Sequence, residues 1–156
     1  MYLYLIRHAH ALPGDDDHER PLSPKGRAQI RRLIAHLKST TAFQPAEVWH
    51  SSLARSRQTA RALAKQLFPA APIHEVAHLE PEANPRPTAT RLRAAENDIA
   101  LVGHEPHLSA LASLLVAGTP APALFKLRKS TVLALKRGED GRWIVRWQLA
   151  PELLAK

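Results

Sequence analysis

Three features of this 156-residue chain predict a three-layer α/β/α fold. Short apolar, β-prone runs alternate with segments whose apolar residues recur every three or four positions, the pattern of helices laid over a mostly parallel sheet. Thr131 to Lys136 and Trp143 to Leu149 instead alternate in the strand manner around Gly138-Glu-Asp-Gly141, which predicts a C-terminal antiparallel hairpin. No internal repeat, low-complexity tract or linker interrupts the chain, so residues 1–156 read as a single domain.

Each element follows from local chemistry. Tyr2 to Ile6 is long enough for a strand and too short for a helix. Asp15 to Pro24 is a polar loop, and Ser23-Pro24 offers an N-cap followed by proline at the first helical position. Ile30, Leu33, Ile34 and Leu37 then form the apolar stripe of a surface helix. Glu47 to His50 reads as a second strand. The helix expected from about Leu53 to Phe68 carries Ala60, Leu63, Ala64, Leu67 and Phe68 on one face and is stopped by Pro69 and Pro72. Ile73 to Ala77 is a weaker third strand. Pro81, Pro85 and Pro87 make Glu80 to Thr88 read as a loop, with a short helix from Ala89 to Glu96. Ile99 to Val102 is the clearest buried strand. Gly103-His104-Glu105-Pro106 turns it into a helix striped by Leu108, Leu111, Ala112, Leu115 and Val116 and closed by Gly118. In the hairpin, Trp143 and Trp147 are an even number of residues apart and are expected to pack on one face.

Composition narrows the function. With 22 Lys and Arg against 14 Asp and Glu, the formal charge is +8, which favours an anionic partner. There is no cysteine, so disulfides, thiolate metal sites and a cysteine nucleophile are excluded. The apolar start is too short for a signal peptide, and no run approaches the ~20 residues of a membrane helix, so a soluble cytoplasmic protein without membrane attachment is expected.

In sheets of this kind ligands bind beyond the carboxyl ends of the strands. Three of those ends carry unusual residues: Arg7-His8, Ser51 to Arg55, and Gly103-His104. Together they would bring two imidazoles, at least two guanidinium groups and two helix N-termini to one rim. Guanidinium forks match phosphate oxygens bidentately, and helix N-termini add unpaired N–H groups. A histidine among them can attack phosphorus, move a proton or bind a non-bridging oxygen. Phosphoryl transfer asks chiefly for positioning and charge stabilisation, which this set provides.

Four ordered blocks carry a family resemblance: Leu5-Ile-Arg7-His8-Ala9, Arg20-Pro-Leu-Ser23-Pro-Lys-Gly26, Ser51-Ser-Leu53-Ala-Arg55-Ser-Arg-Gln58-Thr59-Ala60, and Leu101-Val-Gly-His104-Glu-Pro106. They resemble the Arg-His-Gly signature, the Pro-Leu-Thr-x-x-Gly segment, the Ser-x-Leu-x-Arg-x-x-Gln-Thr block and the second-histidine strand of the histidine phosphatase superfamily. The short length and the ending Trp147-Gln-Leu-Ala-Pro151 are most similar to the small bacterial SixA-type phosphohistidine phosphatases. The resemblance spans essentially the whole chain and implies a phosphoglycerate mutase-like fold. It also implies that His8 is the nucleophile that becomes phosphorylated, that Arg7 and Arg55 clamp the phosphoryl oxygens, and that His104 hydrogen-bonds them. Arg20 is expected as a further phosphate contact and His10 as a pocket residue. Ala9 replaces the signature glycine, which a negative φ would tolerate. No metal or organic cofactor is expected. The implied partner is a phosphohistidine-bearing protein, such as a histidine phosphotransfer domain or a phosphocarrier.

For a general acid the nearest candidates are Glu80 and Glu82, and neither falls into the pattern of larger relatives. An alkoxide leaving group needs a proton badly, whereas imidazole, with a pKa near ~6.5, departs readily, so a site without a strong acid suits a P–N bond. Phosphoserine and small phosphate monoesters are the alternative substrates. Two readings from other classes stand beside this one. Zinc hydrolysis through His8-x-His10 and His104-x-x-His107 is opposed by the adjacent arginines. Nucleic-acid binding is opposed by the scatter of basic residues over several helices. Asp15-Asp-Asp17 reads as a solvated loop, with divalent-cation binding as the alternative. His18, His36, His50, His74 and His78 read as surface residues, and His107 as either a rim residue or one facing water. Arg57, Arg61 and Lys65 read as a solvated ridge. Helical geometry alone does not separate Arg55 from Arg57; the motif selects Arg55.

Overall fold

The computed structural model describes residues 1–154. Strands β1 (Tyr2–Arg7), β2 (Glu47–His50), β3 (Ile73–Glu75), β4 (Ile99–Gly103), β5 (Val132–Arg137) and β6 (Trp143–Leu149) form one sheet in the order β3-β2-β4-β1-β5-β6. β3, β2, β4 and β1 run parallel, while β5 joins β1 antiparallel and β6 pairs with β5 as the expected hairpin. Helices α1 (Pro24–Lys38), α2 (Ala54–Leu67), α3 (Pro85–Ala94) and α4 (His107–Ala117) complete the three layers.

The central strands are apolar on both faces because both faces are covered. Tyr4, Ile6, Ala100 and Val102 pack against Ile30, Leu33 and Leu37 of α1 and Ala60 and Leu63 of α2. The alternate residues Leu3, Leu5, Ile99 and Leu101 meet Leu92 of α3 and Leu108 and Leu111 of α4. The start of α1 is as expected: the Ser23 side chain accepts a hydrogen bond from the Gly26 N–H, with Pro24 in the first turn. Gly26 is there for space. A Cβ at that position would lie 2.0 Å from the His10 carbonyl oxygen, so α1 packs directly onto the backbone that follows β1. Gly118 closes α4 at φ +83°, a left-handed cap that glycine adopts without strain.

Three local expectations are corrected. The segment expected to be a loop to Thr88 is already helical from Pro85, and α3 ends at Ala94 rather than near Glu96. Pro85 and Pro87 sit in the first turn, where a missing N–H costs no helical bond, and Asn84 caps the turn by accepting from the Arg86 N–H. The tryptophans do not share a face. Trp143 is buried with the α3/α4 layer, whereas Trp147 packs with Tyr4 on the α1/α2 layer. The pairing steps from Leu135↔Val145 to Ala134↔Trp147, so the extra residue Arg146 reverses the alternation. The weak third strand is shorter than expected, Ile73–Glu75.

Candidate active site

The register of the sheet creates the site. Arg7 pairs with Gly103, so the next residue on each strand, His8 and His104, leaves the sheet beside the other. Their ring centroids are 4.9 Å apart. His50 of β2 pairs with Val102, which delivers Ser51 to the same rim. Its Oγ lies 2.6 Å from His104 Nε2. The chain order turns back at β1 and β4, the position where open α/β sheets form a ligand crevice.

His8 is prepared for one kind of chemistry. Its Nδ1 lies 2.7 Å from the Ala9 carbonyl oxygen, and a carbonyl only accepts, so Nδ1 carries the proton and Nε2 keeps its lone pair. Burial pushes its pKa down to about 3, opposed by the Ala9 hydrogen bond and reinforced by the charges of Arg55, Arg7 and Lys129. At neutral pH the ring is therefore uncharged, with a free lone pair on Nε2, and faces cations. His104 is pushed down to about 2, chiefly by burial and then by His8 and Arg55. The two imidazoles thus sit together without charge repulsion, ready to face an anion.

Arg55 stands in the first turn of α2 and is almost fully buried. Its Nη1 donates to the Asp17 carbonyl oxygen at 2.8 Å, and Nη2 reaches Asp17 Oδ2 at 3.3 Å. Arg20 holds the same carboxylate through Nη1 at 2.9 Å and the Leu12 carbonyl through Nε at 2.9 Å. The Arg20 hydrogen bond, joined by the charge of Arg55, keeps the Asp17 carboxyl below the usual range. Arg7 donates through Nη1 to the Leu127 carbonyl at 2.9 Å, and burial lowers its pKa. The remaining motif residues hold the backbone. Thr59 Oγ1 accepts from the Ala9 N–H and donates to the Arg55 carbonyl, and Gln58 Oε1 accepts from the Leu22 N–H. His10 Nδ1 lies 2.7 Å from Ser23 Oγ, and its ring lines a cavity beside the site. Ala9 fits as expected: among non-glycine residues positive φ occurs at His78 and Ser130, not at Ala9.

The expected convergence of Arg7, His8, Arg55 and His104 is thus present, with Arg20 and His10 at its edge. Glu82 is exposed and Glu80 half-buried, and the charge of Glu80 acts on His107. Several histidine readings are corrected. His50 is buried, with Nδ1 2.7 Å from the Ser51 carbonyl oxygen, because it lies on an interior strand. His107 does not face water: it is buried on α4, and neither ring nitrogen has a hydrogen-bond partner. Asp17 is engaged by two arginines, and among the described residues no three His, Cys, Asp or Glu side chains gather to hold a metal ion. Asp17, Ser51 and Lys129 were not singled out individually by sequence reasoning. The spacing Asp17-x-x-Arg20 was the available signal for the first, and Ser51 lay inside a recognised block.

No helix among the described residues is long and apolar enough to cross a membrane. Comparison with curated proteins gives no match. Among solved structures, the protein histidine phosphatase SixA in complex with tungstate superposes with a TM-score of 0.85 at 22% identity, covering 98% of this chain and 99% of that one. A putative phosphohistidine phosphatase SixA from Agrobacterium tumefaciens gives 0.76 at 27% identity, covering 96% and 97%. A putative α-ribazole-5′-P phosphatase from Escherichia coli gives 0.76 at 19% identity, covering 97% and 98%. The sequence model of the histidine phosphatase superfamily (branch 1) matches residues 3–80, which include the Arg7-His8 pair, the Arg20 segment and the whole Ser51–Ala60 block. With that match, and with the paired histidines where the sheet register delivers them, the chain belongs to the histidine phosphatase superfamily.

Proposed function

We propose that this phosphatase hydrolyses phosphohistidine on a protein through a covalent phospho-His8 intermediate. In the first half-reaction His8 Nε2 attacks phosphorus in line, forming a P–N bond as the bond to the substrate imidazole breaks. The departing nitrogen takes a proton from solvent. Arg7 and Arg55 bind the non-bridging oxygens, and His104 hydrogen-bonds them, steadied by Ser51. Such donors act most strongly where they are already oriented and shielded from water. Arg20 orients Asp17 and, through it, Arg55. In the second half-reaction water attacks phospho-His8, releasing inorganic phosphate and neutral His8. No metal or organic cofactor enters either step.

The observation that carries the P–N preference is the state of the carboxylate nearest the arginines. Asp17 is held ionised by Arg20 and Arg55, so it is a poor proton donor. Of the sequence candidates for that role, Glu82 is exposed and the charge of Glu80 acts on His107. A leaving imidazole with a pKa near ~6.5 needs no strong acid, whereas an alkoxide does. The similarity to structures described as SixA phosphohistidine phosphatases supports the same reading. A histidine phosphotransfer domain or a phosphocarrier protein is the proposed partner. The test compares kcat/KM for a phosphohistidine protein, a phosphoserine peptide and a sugar phosphate in excess chelator. The phosphohistidine protein is expected to be the preferred substrate by about 100-fold or more. Faster cleavage of either alkyl phosphate, or loss of activity to the chelator, would overturn the proposal.

A further inference from the structure

Lys129 stands beside the reacting centre and takes no part in the cycle above. Its position is imposed by the backbone. The Ser130 N–H is shared between the Arg7 carbonyl at 3.0 Å and the His8 carbonyl at 3.3 Å, and the Arg7 N–H donates to the Thr131 carbonyl at 3.1 Å. Ser130 adopts φ +62°, a left-handed conformation costing a non-glycine residue roughly 1 kcal/mol. The turn is thus pinned onto the end of β1, and it brings Lys129 to the wall of a cavity of about 480 Å³ that His10, Asp17 and Arg20 also line.

The ammonium group has no hydrogen bond or ion pair among the described residues. Partial burial lowers its pKa, and the like charges of Arg7, Arg20, Arg55 and Lys25 lower it further. At His10, burial and then the charges of Lys129, Lys25 and Arg20 oppose protonation. The one carboxylate in the cavity wall, Asp17, is already shared between Arg20 and Arg55. A half-buried cation facing four others is an electrostatic cost that a bound anion would relieve. The transferring phosphoryl group does not account for it, since Arg7, Arg55 and His104 already supply donors for three oxygens.

We propose that Lys129, with Arg20 and His10, forms a second anion subsite for a negatively charged group carried next to the reacting phosphoryl group. That group is a carboxylate beside the phosphorylated residue of a protein or a second phosphate of a small molecule. The proposal rests on the assignment of His8 as the attacked position and names the class of leaving group that the enzyme favours. Selectivity resides in the flank of the substrate, and Lys129 is its main determinant.

The test uses paired probes. Phosphohistidine peptides with alanine or glutamate neighbours form one pair, phosphoserine peptides with the same neighbours a second, and a small monophosphate and bisphosphate a third. Lys129→Met is expected to raise KM about tenfold for the probes with a second anion while changing KM less than about twofold for the others, with kcat preserved and Lys129→Arg restoring the preference. In the unaltered enzyme, added salt is expected to raise KM more for the doubly anionic member of a pair, a reading that does not depend on the variant folding. The pair that shows the Lys129-dependent preference identifies the anion as carboxylate or phosphate. Equal KM effects within every pair, no effect, or a kcat loss shared by all probes would overturn the subsite. Faster turnover of the phosphoserine pair with the preference intact would overturn the phosphohistidine reading and leave the subsite standing.

Discussion

His104 and His107 lie three residues apart and are equally buried, each 1% exposed, yet the strongest charge effect on each differs in sign. His104 faces His8 at 4.9 Å, pairs with Ser51 and feels Arg55. His107 has no hydrogen-bond partner, and the charge that acts on it most is that of Glu80. Burial depresses both, to about 2 and about 4. Desolvation by itself makes a neutral imidazole, and it does so equally well in a core. What distinguishes the site is that the strand ends and α2 bring His8, Ser51 and Arg55 around one of the two rings.

The sharpest break in that comparison is at His8. His8→Ala is expected to lower turnover by about 10⁴-fold or more, and phosphate label on the quenched wild-type protein should be acid-labile and absent from the variant. Retention of most activity would remove His8 from the mechanism. Next, Arg55→Ala and His104→Ala should each reduce kcat by about 10²–10³-fold, as for other charge-stabilising donors, with single-turnover kinetics separating chemistry from binding.

Acid stability tests the property that the two histidines share. His8, His104 and His107 are neutral in the folded protein well below their ordinary value of ~6.5, so only the unfolded chain takes up protons between that value and about 4. Stability is complete above pH 6.5 and falls as the pH drops towards 4, by on the order of 2 kcal/mol per buried imidazole at pH 4.5. Urea midpoints at pH 7.5 and 4.5 measure this, and a flat profile would contradict the burial of these rings. Asp17→Asn removes an anion from beside Arg55 and Arg20 and should tighten competitive inhibition by inorganic phosphate roughly two- to fivefold, a small effect because the carboxylate is largely exposed. The smallest catalytic effect belongs to His107→Leu. It should leave kcat within about twofold and raise stability by about 1 kcal/mol, since it removes two buried nitrogens that have no partner.

Much of the site was legible as chemistry before it was visible as geometry. Arg7-His8, Arg55 and His104 each follow a strand or open a helix, so the rule for strand ends already drew them together. The surroundings were less legible. Nothing local to Lys129 links it to Arg7 and Arg55; the link is the Ser130 N–H bonded to the end of β1, more than a hundred residues away in the chain. Local rules misread His50 and His107 because isolated histidines are usually solvated, and burial is a property of neighbours. The two tryptophans changed faces for a similar reason, since one bulge residue undoes an even spacing.

The order of apolar and polar residues by itself determined the layers, the helix caps at Ser23 and Gly118, and the residues that end each central strand, because periodicity, capping and turn chemistry act over a few residues. Only the tertiary structure decided which strand lies beside which and in what register. That register sets His8 against His104 and Ser51, gives Asp17 to two arginines and leaves Lys129 without a partner among the described residues. The physical reason is range: a hydrogen-bonded turn depends on its immediate neighbours, whereas pairing Arg7 with Gly103 depends on how both faces of the sheet are buried at once.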